Sequence, residues 1–294
     1  METPAAITIA GSDSSSGAGI QADLKTFSHF GVYALTVVTC VVAEVPGIVS
    51  SIQAIDLGMI RRQLALNLVH YPIAVIKTGM LYSAEIVDLI CDMLEALEPR
   101  ERPMVVVDPV MIATSGEALI QPRAIEEYAS RLFPLATIVT PNLDEASVLL
   151  NRQLKSFDEM RDGATELYQK YRIPFLLKGG HLQMAEATDL LVDREGMRGF
   201  SAAYQRKVST HGTGCAYSAA IAANLALNLP LRRAVDVAKQ YITAAIRESF
   251  RWSHDGRTVF ALRHSPGTGG GSDFWQAGEV GPDLRAGRSN EANS

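Results

Sequence analysis

The sequence predicts an α/β domain in three layers, with a mostly parallel central sheet and helices on both faces. Three observations carry this. Apolar runs of strand length alternate with helical patterns of 10–15 residues along most of the chain, the rhythm of successive β-α units. Most of these runs are continuously apolar rather than alternating, which suits strands covered on both faces. Glycines and polar residues gather where the runs end, the edge at which open α/β sheets bind their ligands.

The elements follow in order. Residues 5–10 (AITIA and its flank) form a buried strand ended by Gly11, and a serine-glycine loop leads to a helix over 18–30 closed by Gly31. A second strand covers 35–42, and Pro46-Gly47 separates it from a short edge strand at 48–53. Asp56 and Ser83 are placed to cap the next two helices, on either side of a strand at 73–77. A strand at 104–107 ends in Asp108-Pro109, and Pro122 suits the first turn of a later helix. A strand at 136–139 is followed by a short helix through Glu145; Ser156 and Glu159 make a capping box for a helix to about 171. A strand at 175–177 precedes an antiparallel pair, 189–193 and 199–208, turned near Glu195-Gly196. Two helices close the domain, one opening at about Gly214 or Cys215 and one over 230–250. The reading is one domain over 1–264 and a flexible, glycine-rich tail over 265–294.

Totals narrow the classes. The 294 residues are 47 % hydrophobic and 20 % charged, and the net charge of −5 comes with no basic cluster. A nucleic-acid partner is therefore not expected. Three cysteines far apart fit reduced thiols rather than a disulfide framework. The opening METPAAITIAGSD has no basic n-region, and no apolar run reaches the roughly 18 residues of a membrane span. The expectation is a cytoplasmic protein without a membrane partner.

The stretch VSTHGTGCAYSAAIAANLALN at 208–228 carries the most chemistry. Glycines at 212 and 214 let an anion approach the unpaired N–H groups at a helix start, where the helix dipole adds positive charge. Cys215 in that first turn is biased toward thiolate. A plain glycine turn before a buried helix explains the same residues, so this stretch alone leaves both readings open. Gly17-Ala18-Gly19-Ile20-Gln21-Ala22 matches a dinucleotide fingerprint, but residues 12–16 separate it from the strand it should leave directly. A Cys215–His211 hydrolase pair lacks an orienting acid.

Six stretches in order carry a family resemblance: AGSDSSSGAGIQADLKTF (10–27), IKTGML (76–81), VVDPVMIATSG (106–116), TPNLDEA (140–146), LLKGGH (176–181) and STHGTGCAYSAAIAA (209–223). The chain resembles the hydroxymethylpyrimidine/phosphomethylpyrimidine kinases of thiamine biosynthesis, in the ribokinase-like superfamily. The resemblance implies that fold, a homodimer, and ATP-dependent phosphorylation of an aminopyrimidine's hydroxymethyl group and of its monophosphate. By position it places Gly11, Asp23, Glu44, Met80 and Val110 around the pyrimidine. Asp108, Asn142 and Glu145 would hold Mg²⁺ and its waters near the phosphates, and Lys178 and Thr210 would contact ATP. Gly212, Thr213 and Gly214 would form the anion hole, with Cys215 as catalytic base. These roles suit phosphoryl transfer, which needs positioning and charge neutralisation above all.

One position departs from the family. Where it usually has Gln, this chain has Glu44. A carboxylate can accept from the exocyclic amine and pair with a protonated ring nitrogen, but it opposes a neutral ring nitrogen with a second acceptor. The rival substrate is pyridoxal; kinases of this kind that take it tend to carry a second cysteine in the flap after Asp108-Pro109, and residues 110–116 contain none. A non-catalytic binding protein on the same fold would be favoured by loss of charge at Asp108, Glu145, Lys178 or Cys215, and all are present. Residues 110–116 are also the expected lid.

Overall fold

The computed structural model describes residues 3–111, 122–182, 185–205 and 211–266. The chain runs through β1 (Ala5–Asp13), α1 (Gly19–His29), β2 (Tyr33–Val45), β3 (Ile48–Ala54), α2 (Leu57–His70), β4 (Ile73–Thr78), α3 (Ala84–Glu95) and β5 (Met104–Val107). It continues through α4 (Pro122–Glu127), which passes into a π turn and a 3-10 turn, then β6 (Ile138–Val139), α5 (Leu143–Leu150), α6 (Phe157–Tyr171) and β7 (Phe175–Leu177). The last elements are β8 (Glu186–Asp193), β9 (Gly196–Ala203), α7 (Thr213–Ala226), α8 (Leu231–Arg247), β10 (Phe250–His254) and β11 (Arg257–Ala261).

Among the described residues, nine strands form one sheet in the order β3-β2-β1-β4-β5-β6-β7-β8-β9. The block from β2 to β7 is parallel, and the edge pairings β2–β3, β7–β8 and β8–β9 are antiparallel. Continuous apolarity in the inner strands has the expected cause. Ile7, Val105, Val107, Phe175 and Leu177 pack into the layer of α2 to α6. Their alternates Ala6, Val106 and Leu176 pack into the layer of α1, α7 and α8. The chain leaves β1 toward β2 on one side and returns to β4 on the other. A crevice opens at such a reversal of strand order.

Every residue of α7 from Ala216 to Ala226 is buried. Seven of those eleven are alanine or serine, so the helix lies close to the sheet while α1 and α8 cover it. Asp56 accepts from the Met59 N–H, and Ser156 with Glu159 closes a capping box, as their spacing predicts. Ser83 stands at the N-cap of α3 without a side-chain cap hydrogen bond.

Three expectations need correction. α7 begins at Thr213 rather than at 214 or 215, because Gly212 already turns the chain with φ 81°. The last helix stops at Arg247, and residues taken as its end enter the antiparallel hairpin β10–β11. Its turn is Asp255-Gly256, both with positive φ, the pairing that favours tight hairpins. β9 ends at Ala203, while 206–208 of the expected strand lie outside the described residues, as does the tail from 267 onward. Among the described residues, no helix is long and apolar enough to cross a membrane.

Candidate active site

At the carboxyl ends of the inner strands a cavity of about 1040 Å³ opens between the β1–α1 loop, the start of α7 and the β5 and β7 ends. Its framework is the loop after β1. Asp13 accepts hydrogen bonds from the N–H groups of Ser15 (2.6 Å), Gly17 (3.0 Å) and Ala18 (2.7 Å), winding the loop around one carboxylate. The bonds from His211, Ser15 and the loop amides outweigh burial and hold the Asp13 carboxyl well below the usual range. The turn before α7 docks on this loop. A Cβ on Gly212 would lie 1.8 Å from the Gly17 carbonyl oxygen, so no side chain fits there.

The start of α7 meets the metal-site candidates directly. A Cβ on Gly214 would stand 3.1 Å from Lys178 Nζ and 3.9 Å from Asp108 Oδ2. Lys178 Nζ donates to Asp108 Oδ1 at 2.9 Å, and Ser218 of α7 donates to Asp108 Oδ2 at 3.0 Å. Burial opposes ionisation of Asp108, but Lys178, Lys77 and these bonds outweigh it and keep the carboxyl low. Asn142 and Glu145 form the capping box of α5: Glu145 accepts from the Asn142 N–H at 2.8 Å, and Asn142 Oδ1 accepts from the Glu145 N–H at 2.9 Å. Burial, with the Asp108 charge adding to it, pushes the Glu145 carboxyl up to about 8 against the pull of Lys178. Glu145, whose burial outweighs the pull of Lys178, and the Asp108 carboxylate are oxygen donors of the kind Mg²⁺ takes.

Gly11, Glu44, Met80 and Val110, the residues expected around the ring, line the same cavity, and so does Cys215. Gly212, Thr213 and Gly214 line it beside Cys215. Asp23 does not. It is fully buried, accepts from Thr8 Oγ1, and is bound at 2.8 Å and 3.0 Å by Lys77 Nζ, itself fully buried. A carboxylate so paired inside the protein holds Lys77 protonated against burial. Thr210 lies outside the described residues, as do 112–116 of the expected lid.

One further expectation changes, and one alternative falls. Cys215 is no thiolate in the free protein: burial, with Asp108 and Asp23 reinforcing it, pushes the thiol up to about 11, although Lys77 and the Gly19 N–H pull the other way. Nor does His211 pair with Cys215. Its Nε2 lies 3.1 Å from Asp13 Oδ2 and 3.7 Å from Glu44 Oε2, which removes the hydrolase reading. Lys77, Asp13 and His211 are site residues that the sequence reading left unassigned. A lysine inside an apolar strand was a usable signal for the first, since lysine is almost never fully buried without a partner.

A nine-stranded sheet with antiparallel edges and a glycine-led helix start facing buried acids and a lysine defines a kinase of the ribokinase-like class. The model of the phosphomethylpyrimidine kinase family matches residues 13–259, and the chain belongs to that family of phosphotransferases. It is 41 % identical to a hydroxymethylpyrimidine/phosphomethylpyrimidine kinase of Rhizobium meliloti, covering 85 % of this chain and 92 % of that one. It is 44 % identical to the thiamine biosynthesis bifunctional protein ThiED of Geobacter sulfurreducens over 82 % of this chain, but spans only 49 % of that protein's length. Among solved structures, an ADP complex of Bacillus subtilis pyridoxal kinase superposes with a TM-score of 0.81 at 37 % identity, covering 90 % of this chain and 98 % of that one.

Proposed function

We propose that the chain transfers the γ-phosphoryl group of ATP to the hydroxymethyl group of 4-amino-5-hydroxymethyl-2-methylpyrimidine, and to its monophosphate, in thiamine biosynthesis. The observation that supports this reading is one cavity lined by Gly11, Glu44 and Met80, by Cys215, and by Asp108, Glu145, Lys178 and the start of α7. The first N–H groups of α7 and the Lys178 ammonium meet the transferring phosphoryl oxygens, where preorganised donors are worth most. Asp108 and Glu145 are the groups that would hold Mg²⁺, which neutralises phosphate charge when bound. The substrate oxygen attacks the γ-phosphorus as its proton passes to Cys215 Sγ, and the bond to the ADP oxygen breaks.

To act, Cys215 must first lose its thiol proton to solvent, which Lys77 favours and burial, Asp108 and Asp23 oppose, so that its thiolate can then accept the substrate proton. Cys215→Ser is expected to lower kcat by about 10²–10⁴-fold while ATP binding is kept. Near-normal turnover by that variant would remove Cys215 from the base role. We further infer action in the cytoplasm and a homodimer, supported by exposed Tyr33, Val45, Ile48, Leu66 and Val69 on β2, β3 and α2. Light scattering of the purified chain tests the dimer.

A further inference from the structure

Lys178 follows β7, a strand of only three residues, whose ladder with β8 ends at Leu177–Leu190. The residue after it is held by a side chain instead. The Gly179 N–H donates to Asp189 Oδ1 of β8 at 3.0 Å, and the Thr188 carbonyl leaves no room for a Cβ on Gly179. Asp189 Oδ2 accepts from Lys239 Nζ of α8 at 2.7 Å, and both side chains are largely buried. Both line the cavity, yet the transfer described above gives neither a part. The Tyr217 hydroxyl of α7, two residues past Cys215, is buried near the same carboxylate, and burial and that charge push it well above its usual range. A second ion pair joins the same two elements without this link. Arg232, two turns before Lys239 on α8, donates to Asp193 Oδ2 and to the Gly196 carbonyl, each at 2.9 Å, and lies outside the cavity lining.

We propose that Asp189, clamped by Lys239, is a positioning residue for phosphoryl transfer: it fixes the Gly179 peptide so that the Lys178 ammonium stays aligned with the start of α7. This rests on the kinase reading above and adds a residue to its machinery. A lysine is a point charge on a flexible four-carbon stem, so where its ammonium rests depends on how its backbone is anchored. The Lys178 N–H is tied to the Pro141 carbonyl at 2.9 Å, and the Asp189 bond to Gly179 secures the next peptide. A charged acceptor makes that bond stronger than a neutral one would. Lys239 occupies the second carboxylate oxygen, which leaves Oδ1 one orientation, toward Gly179. Loosening this hold lets the ammonium drift from a place where small displacements cost much in rate.

The test measures kcat with 4-amino-5-hydroxymethyl-2-methylpyrimidine, together with ATP affinity and thermal melting, in variants of the full chain. Asp189→Asn keeps the side-chain shape and removes the charge. It is expected to lower kcat by about 10–10²-fold while ATP affinity is kept. Lys239→Gln loosens the clamp from the other side and should lower kcat in the same manner. Arg232→Leu breaks the neighbouring ion pair, so it should lower the melting temperature and leave kcat at the wild-type level. The sharpest readout is a double-mutant cycle: in a Lys178→Met background, Asp189→Asn should cost nothing further, because the group it positions is gone. Wild-type kcat in Asp189→Asn or in Lys239→Gln overturns the inference. So does an equal kcat loss in Arg232→Leu, or the full Asp189→Asn loss repeated on top of Lys178→Met. Each of these leaves phosphorylation of the pyrimidine by the wild type intact. A wild type that phosphorylates no aminopyrimidine overturns the kinase reading, and this inference with it.

Discussion

Cys215 and Lys77 set the residue-scale behaviour of the site through opposing charges. With the thiol raised to about 11 by burial and by Asp108 and Asp23, the thiolate fraction grows with pH across the neutral range. We therefore expect kcat to rise from pH 7 to 9 in a steady-state profile; a flat profile would mean that the substrate proton leaves by another route. Beneath the thiol, Lys77 and Asp23 stabilise each other with no exposure to solvent. Lys77→Met strands a buried carboxylate and should cost about 3–5 kcal/mol in denaturant unfolding. The double variant Lys77→Met/Asp23→Leu, with no charge left, should recover much of that loss.

At the scale of elements, the start of α7 is positioned by backbone contact rather than by side chains. Gly212 combines a left-handed φ of 81° with no room for a Cβ against Gly17. Gly212→Ala must push α7 away from the β1–α1 loop, and a shift near 1 Å should lower kcat/KM by about 10²-fold. Unchanged kinetics in that variant would separate the loop contact from catalysis. Much of this region was legible in the sequence, because glycine spacing and a following alanine run state a close helix approach. Its electrostatics were not. The helix start suggested a thiolate, but burial and two acids oppose it, Asp108 after β5 and Asp23 on α1, 107 and 192 residues away in the chain. Asp23 on α1 stands outside the cavity wall for a related reason: its partner Lys77 comes from β4, and both side chains are fully buried in that pair. The β10–β11 hairpin was missed although Asp255-Gly256 signals it, because the helical pattern before it ran on without a clear stop.

For the whole molecule, the fold class and the strands of the main sheet were readable because continuous apolar strands and amphipathic helices alternate over most of the chain. Long-range closure was not readable. His264, after β11, is buried against Thr26 and Tyr241 and ties the end of the described chain to α1 and α8. Burial, reinforced by Lys25 and His29, lowers its imidazole from 6.5 to about 4. The unfolded chain therefore binds a proton first, and stability falls as pH drops from 6.5 toward 4, by about 3 kcal/mol at most. Thermal melts over that range should show this loss, and His264→Gln should flatten it; an identical pH profile in the variant would place the titration elsewhere.

One cavity phosphorylates an aminopyrimidine in this reading, although pyridoxal kinases share the fold. The most direct measurement is a coupled ATP-turnover assay on the purified protein, comparing kcat/KM for 4-amino-5-hydroxymethyl-2-methylpyrimidine and pyridoxal. The account predicts clear preference for the pyrimidine. Preference for pyridoxal, or turnover of neither, would contradict it.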